Sequence, residues 1–410
     1  MVPIRPLRSA ATSRGAVLDL IRSKGPISRV ELAESTGLTQ ATMSNVVRQL
    51  LIDGLVIDSG RGESTGGKPR VLLSINPTAR FGIGIQVGAD SLTYVVTDLN
   101  GEVVGRTRTR GVHRSEPEIA IDLIGLAVHT LLLDLGIAEE RVVGIGLVAP
   151  GPLDLEAGTI LAPPTLDEWV NFPIRDRLGA ATGLPVVLDN DATAAAIGEY
   201  WGGAVAGAAA HCSVYMGAGI GAGIVFHGSV YRGASSNAGE LGQVWIETLG
   251  AATPRSTVEQ LAGPAGVAAR ARAAIAAGRA ASFALSGDAD PFGDFAVIST
   301  AAVHGDPLAL ELVNESARYL AGAVVSMANI LDLDSIVLCG PSFAIAGSLY
   351  LIAVRDRMAQ DFFARTRHSV RISLSAQMSD AAAVGGAALV LQQKLSPRAI
   401  GYAPRISVRS

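Results

Sequence analysis

Two segments whose starts lie 130 residues apart carry one pattern, and a chain that carries it twice has few folds open to it. In FGIGIQVGADSLTYVVTDLNGEVV (Phe81–Val104) a short apolar run enters a glycine-bearing turn, a second run leaves it, and Asn100-Gly101 closes a hairpin. HCSVYMGAGIGAGIVFHGSVYRG (His211–Gly233) again gives strand, glycine turn and strand, then a hairpin at His227-Gly228. Apolar runs of this length bounded by Gly and Asn read as strands. From Arg80 onward strands and helices alternate, with candidate strands at Phe81–Ile85, Leu92–Asp98, Val103–Thr107, Val142–Val148 and Val186–Leu188. SIVLCGP (Ser335–Pro341) reads as a buried strand ending in glycine. The duplication implies two α/β halves around a cleft, and ligands in such folds sit at strand ends and between halves. A turn of the form Gly84-Ile85-Gln86-Val87-Gly88 brings backbone close to a ligand, often a phosphate. Phosphate sites that do chemistry need a carboxylate to organise Mg²⁺, and here the turn carries Gln86.

At 410 residues the chain has room for two or three domains, and 49% hydrophobic residues can bury a large core. The net charge of -4 is unevenly placed: residues 1–80 hold eleven Lys/Arg against six Asp/Glu, and the rest 22 against 31. A basic head on an acidic body fits a polyanion partner for the head. The two cysteines, Cys212 and Cys339, lie far apart in apolar runs, so they read as buried thiols and not as a disulfide framework or a Cys-rich metal site. MVPIRPLRS at the start lacks the apolar core of a signal peptide. The apolar stretch Ile119–Ile137 is broken by Asp122, His129 and Asp134 and reads as a core-facing helix, not a membrane span. The expectation from these features is a cytoplasmic protein. His113, His129, His211 and His227 have no metal-ligand spacing.

The head has its own signature. SRGAVLDLIRSK (13–24) is helical and stops at Gly25-Pro26. Ser28 can cap a short helix holding Val30, Leu32 and Ala33, Gly37 breaks it, Leu38 packs inward, and Thr39 can cap a second helix. Met43, Val46, Val47, Leu50 and Leu51 form the buried stripe of that second helix. Two short helices across a glycine turn are a helix-turn-helix pattern, in which the second helix enters the major groove. Its other side offers Gln40, Thr42, Ser44, Asn45 and Arg48. Gln and Asn can read adenine edges, and Arg a guanine or a phosphate. Leu55-Val56-Ile57 and Val71-Leu72-Leu73 read as strands around RGESTGGKPR, a wing whose Arg61, Lys68 and Arg70 would contact phosphates or the minor groove.

Taken in order, TGLTQATMSNVVRQLLIDGLV, GESTGGKP, APGPLD, LDNDATAAAIGEYWGGA, GAGIGAGIVFHGSVYRGASSNAGELGQ and VEQLAGP resemble the ROK family of repressors and sugar kinases. The resemblance runs from about Ser13 to Gln393, and with its head the chain is similar to the xylose and N-acetylglucosamine repressor type. It implies an N-terminal winged helix-turn-helix (1–78) followed by an actin-like, sugar-kinase fold (79–410) of two lobes, about 79–200 and 201–395.

In family kinases the acidic residue of an Asn-Asp pair takes the proton from the sugar hydroxyl, and here the pair is Asn190-Asp191. Asp189, Asn190 or Asp191 can equally cap the helix that follows, and both roles can hold at once. NAGELGQ matches the segment whose glutamate binds sugar and whose last residue, histidine in the family, binds sugar or structural zinc; Glu240 and Gln243 stand in those places. The family's cysteine cluster is missing from VWIETLGAATPRSTVEQLAGP, so no tetrahedral zinc site can form there. Trp245 and Leu249 are left to hold the loop by packing, and Glu259 matches the glutamate after the lost cluster. Gln86 stands where kinases carry a metal-organising aspartate, Gly217-Ala218-Gly219 lacks a hydroxyl kinases have, and LCGPSF carries Pro341 where kinases show glycines.

The resemblance thus implies a transcriptional repressor without cofactor, metal or kinase activity, with Asp191 a vestigial base. Its partners would be a palindromic double-stranded operator, a second copy of the chain (a homodimer or homotetramer), and a sugar held by Asn190, Asp191, Glu240, Gln243 and Glu259. The alternatives are an ATP-dependent sugar kinase with a DNA-binding head, and a regulator answering to a protein or a non-sugar metabolite. Trp169, in TLDEWVNFP, can stack on a sugar or anchor the packing of a lobe, and we favour the anchor.

Overall fold

Capping chemistry sets the first elements of the chain. In the computed structural model, which describes residues 10–61, 70–88, 91–112, 115–161, 167–205, 207–247, 255–286 and 290–395, α1 (Ala10–Lys24) is followed by β1 (Ile27–Ser28), α2 (Arg29–Thr36) and α3 (Gln40–Ile52). Ser28 and Glu31 form a reciprocal capping box, the Ser28 N–H donating to Glu31 Oε2 at 2.9 Å. Gly37 ends α2 at φ 70°, a left-handed position that glycine adopts without strain. Thr39 then accepts the Thr42 N–H and opens α3. Met43, Val47 and Leu50 are buried with Val17, Leu18, Ile21 and Leu32, while Val46 and Leu51 are only half-buried. β2 (Val56–Arg61) and β3 (Val71–Ile75) pair antiparallel with a bulge at Asp58/Gly60, and β1 pairs with β3 on its other side.

The first large sheet is built from β4 (Phe81–Val87), β5 (Ser91–Asp98), β6 (Val103–Arg110), β7 (Val142–Ala149) and β10 (Val186–Asn190), with α4 (Pro117–Asp134), the short pair β8 (Leu153–Asp154) and β9 (Thr159–Ile160), and α5 (Ile174–Thr182) between them. Its order is β10-β7-β4-β5-β6. Gly84 to Val87, expected to form a ligand-approaching turn, are strand throughout. The glycines serve a different close approach. Gly82, Gly84 and Gly146 lie on one face of the sheet, and a Cβ on Gly84 would overlap Ala383 O and one on Gly146 would overlap Gly386 O. The backbone of the C-terminal helix therefore lies directly on the sheet. The opposite face carries Ile83, Ile85, Ile145 and Leu147 into a core with Ile121, Ile124, Leu178 and Trp169. Trp169 is 1% exposed and meets Phe172 edge-on, so it anchors this core and presents no face to a sugar. Only one side of α4 is core-facing; Ile119, Leu123, Leu126 and Leu133 on its other side are exposed.

Next, α6 (Asp191–Trp201) leads to β11 (Ala210–Met216), β12 (Ile220–Phe226), β13 (Ser229–Val230), β14 (Trp245–Glu247), β15 (Arg255–Thr257), α7 (Val258–Ala262), α8 (Pro264–Ala276), α9 (Pro291–Val303), α10 (Pro307–Leu331), β16 (Ser335–Cys339), α11 (Gly347–Asp361), β17 (Arg371–Leu374) and α12 (Ala381–Leu395). The second large sheet, in the order β13-β12-β11-β16-β17, repeats the scheme of the first: one strand pairs antiparallel with its successor and parallel with a later strand. Cys212 and Cys339 are buried free thiols in it.

Two compact units result, one holding residues up to 189, 200–206 and those from 383 on, the other 190–199 and 207–382. The C-terminal helix belongs to the first unit because the glycine face of β4 and β7 receives it, which a cut near residue 200 does not convey. Among the described residues no single helix is long and apolar enough to cross a membrane.

Candidate functional site

On α3 the five polar residues singled out from sequence, Gln40, Thr42, Ser44, Asn45 and Arg48, are all exposed. Arg48 Nη2 donates to Asn45 Oδ1 at 2.8 Å, so the two side chains present a paired amide and guanidinium. Arg70 is exposed beside β3. Arg61 ends β2 opposite Val71; its side chain, Lys68 and residues 62–69 lie outside the described residues.

The second unit gathers the carboxylates. Asn190 ends β10 and Asp191 opens α6. Asn190 Oδ1 accepts the Ala192 and Thr193 N–H groups at 2.9 and 3.4 Å, and Asp191 Oδ1 accepts Ala192 N–H at 2.8 Å, so the capping role is met. Burial nevertheless pushes the Asp191 carboxyl up to about 7; the Ala192 N–H pulls it down and the nearby charge of Glu240 adds to the rise. Glu240 itself is raised, by burial first and by Glu259 second, although much of its surface faces solvent. Asp191, Glu240 and Glu259 are therefore electrostatic neighbours, which nothing in their sequence spacing showed.

Each member is held by backbone. The Ala222 N–H donates to Gly239 O at 2.7 Å and pins the segment bearing Glu240 to β12. Glu259 Oε2 accepts the Ile220 N–H at 2.9 Å, which ties α7 to the Gly217-Ala218-Gly219 turn. Thr257 and Gln260 close a capping box on α7 and fix Glu259 within its first turn. Gln243 is exposed at the end of a 3-10 turn, Leu241–Gln243. Where the family has its cysteine cluster, β14 and β15 pair as a hairpin. Trp245 on it is 52% exposed and stacked by Arg255 at 3.8 Å, so it braces the strand pair from outside and not from a core; Leu249 lies outside the described residues. Among the described residues no group of three His, Cys, Asp or Glu side chains is arranged to hold a metal.

An acidic, half-buried cluster beside backbone amides can accept hydrogen bonds from several neighbouring hydroxyls, the chemistry a sugar ring offers. The positions bearing on phosphate chemistry are also defined. Gln86 sits half-buried on β4 opposite Thr93. The Gly217 turn is braced by Ser342 Oγ donating to Gly217 O at 2.8 Å. Gly340, at φ 108°, packs over Met216, and Pro341 follows it with no N–H to donate.

The ROK family model matches residues 82–394. A putative xylose repressor of Caldicellulosiruptor sp. (strain Rt8B.4) is 28% identical over 93% of this chain and 95% of its own length. A glucokinase of Halalkalibacterium halodurans is 29% identical over 97% of its length but only 77% of this chain. Among solved structures, a ROK family transcriptional regulator homologous to the E. coli MLC protein superposes with a TM-score of 0.76 at 25% identity, over 95% of this chain and 97% of that one.

Proposed function

The chain belongs to the ROK family, and on that premise we propose that it is a DNA-binding transcriptional repressor of sugar uptake or catabolism genes. Residues 1–78 act as a winged helix-turn-helix head, and residues 79–410 form an actin-like, two-lobed body that senses a sugar and does not phosphorylate it. The observation that carries this reading is α3. A capped helix, seated on its core by Met43, Val47 and Leu50, presents Gln40, Asn45 and Arg48 outward, on a chain whose likeness to a xylose repressor of Caldicellulosiruptor bescii extends over 93% of its length. Two heads of a dimer or tetramer read a palindromic operator. A sugar bound by Asn190, Asp191, Glu240, Gln243 and Glu259 favours one arrangement of the protein by differential affinity and so alters operator binding.

Three features speak against phosphoryl transfer. Gln86 is a poor ligand for a hard cation, Ala218 has no hydroxyl, and Pro341 removes a backbone donor. One observation favours the kinase reading: a carboxyl poised near 7 suits a general base. Sugar-dependent ADP release abolished by Asp191→Asn would establish it.

The repressor reading is tested by selecting sites from a random duplex library with the full chain. A recovered sequence with twofold symmetry is expected. Asn45→Ala and Arg48→Ala should then weaken that site by about 1–3 kcal/mol and spare random duplex, while Lys68→Ala and Arg70→Ala weaken both. Recovery of no preferred sequence refutes the assignment of the head.

A further inference from the structure

The last turn of α1 is fastened to a residue 179 positions away. The Arg22 side chain is 6% exposed, and its guanidinium carbon lies 4.0 Å from the ring centroid of Trp201. Arg22 Nη1 donates to Trp201 O. Asp19, one turn earlier on α1, approaches Arg22 Nε at 3.8 Å. Trp201 is itself 1% exposed. The turn between β5 and β6 closes over the ring: a Cβ on Gly101, at φ 91°, would come within 2.8 Å of Trp201 Cδ1. Among the described residues Trp201 Nε1 has no hydrogen-bond partner, so the ring is held by its faces and not by its N–H. A guanidinium out of water is costly unless paired and hydrogen-bonded. Arg22 has a carboxylate, a carbonyl and an aromatic face around it.

Trp201 is the last residue of α6, and the first is Asp191. From Ala192 to Glu199 every residue of this helix is buried, and there is no proline to bend it. Eleven residues at 1.5 Å each make a rod of about 16 Å. One end carries the Asn190-Asp191 pair, and the other carries the ring on which α1 is latched.

We propose that α6 is the lever between sugar and DNA, and that the Arg22–Trp201 stack is the latch through which it acts on the head. The inference rests on the sugar-sensing reading of Asp191. Contact of a sugar with Asp191 displaces the first turn of α6. The buried rod carries the displacement to Trp201, and the stack passes it to α1, against which α3 packs. A coupling of this kind has physical content only if removing the link removes the response and leaves both binding events in place.

The test uses the full chain with D-xylose, D-glucose and N-acetyl-D-glucosamine as probes. Sugar affinity is measured by calorimetry, and affinity for the selected duplex with and without saturating sugar. In the unmodified protein the active sugar should change duplex affinity by about 5–150-fold. Arg22→Ala and Trp201→Ala should keep sugar and duplex binding but lose that change. Trp201→Phe, which keeps the ring face and forfeits no hydrogen bond, should retain it, and this separates the latch from simple damage to the fold. A full response in Arg22→Ala overturns the latch. If no sugar alters duplex binding in the unmodified chain, the sensing reading fails, and a second arm decides the latch alone. Asp191→Ala and Arg22→Ala are made singly and together, and amide exchange in α3 is followed without ligand. Asp191→Ala should alter α3 exchange only while Arg22 is present; equal effects in both backgrounds refute the lever.

Discussion

Replacing Asp191 by asparagine should stabilise the protein by an amount that grows as pH rises from about 4 and is complete above about 7. Burial, reinforced by Glu240, carries this carboxyl from 3.8 up to about 7. Between those two values the folded chain keeps a proton that the unfolded chain has released. Stability therefore falls as pH rises through that window, and the full cost stands above pH 7. At 1.36 kcal/mol for each pKa step the ceiling is about 4 kcal/mol. Solvent still reaches part of the residue, which screens its charge and leaves about 2 kcal/mol as the working figure. Asparagine removes the charge and keeps an oxygen for the Ala192 N–H. Urea unfolding at pH 4, 6 and 8, followed by the emission of the buried Trp169 and Trp201, reads the difference as a midpoint shift at unchanged slope. Asp191→Asn should gain about 2 kcal/mol over the parent at pH 8 and be indistinguishable from it at pH 4. Because both proteins share every other titrating group, their difference reports Asp191 together with its coupling to Glu240. A variant no more stable than the parent at pH 8, or an offset that does not change with pH, refutes the reasoning. A gain would also explain the residue physically: an ionised carboxylate kept where it destabilises the fold is kept for what it binds.

Other expectations follow from single positions. His211, fully buried between the Ser213 and Ser335 hydroxyls, is held down to about 4 by burial, so the unfolded chain protonates first on acidification. It should cost stability as pH falls from about 6.5 to 4, by at most about 3 kcal/mol, and His211→Gln should flatten that acid limb; an unchanged limb contradicts it. Gly84→Ala sets a methyl group against the fixed carbonyl of Ala383 and should lower stability by about 1–3 kcal/mol or more in urea. Parent-like stability would mean that α12 does not lie on that face. Burial raises both thiols and seals them from solvent, so a thiol reagent should modify neither Cys212 nor Cys339 in the native protein and both in guanidinium. A fast-reacting thiol would contradict the packing of β11 and β16.

What the sequence revealed and what it hid divide along one line. Features governed by neighbours in sequence were legible: the caps at Ser28 and Thr39, the left-handed Gly37, the polar face of α3, and most of the strands. Gly84 was misread because a glycine inside a strand and a glycine in a turn look alike until their partner is known, and that partner is Ala383, about three hundred residues on. Val46 and Leu51 fit the helical stripe of α3 by spacing but lie at its margin, where the small head has too little core to cover them. At the site, Asn190-Asp191 could be picked out as a pair with two possible roles, and the capping bonds are in place beside the raised carboxyl. The grouping of Asp191 with Glu240 and Glu259, the tie from Glu259 to Ile220, and the seating of Arg22 on Trp201 are tertiary juxtapositions without a periodicity to betray them.

The most direct measurement is the affinity of the full chain for its selected duplex across a sugar panel, each sugar with and without Mg-ATP. The account predicts that one sugar class changes duplex affinity, that Glu240→Gln abolishes the change, and that Mg-ATP neither adds to it nor yields ADP. A change that requires Mg-ATP, or duplex affinity indifferent to every sugar, would contradict it.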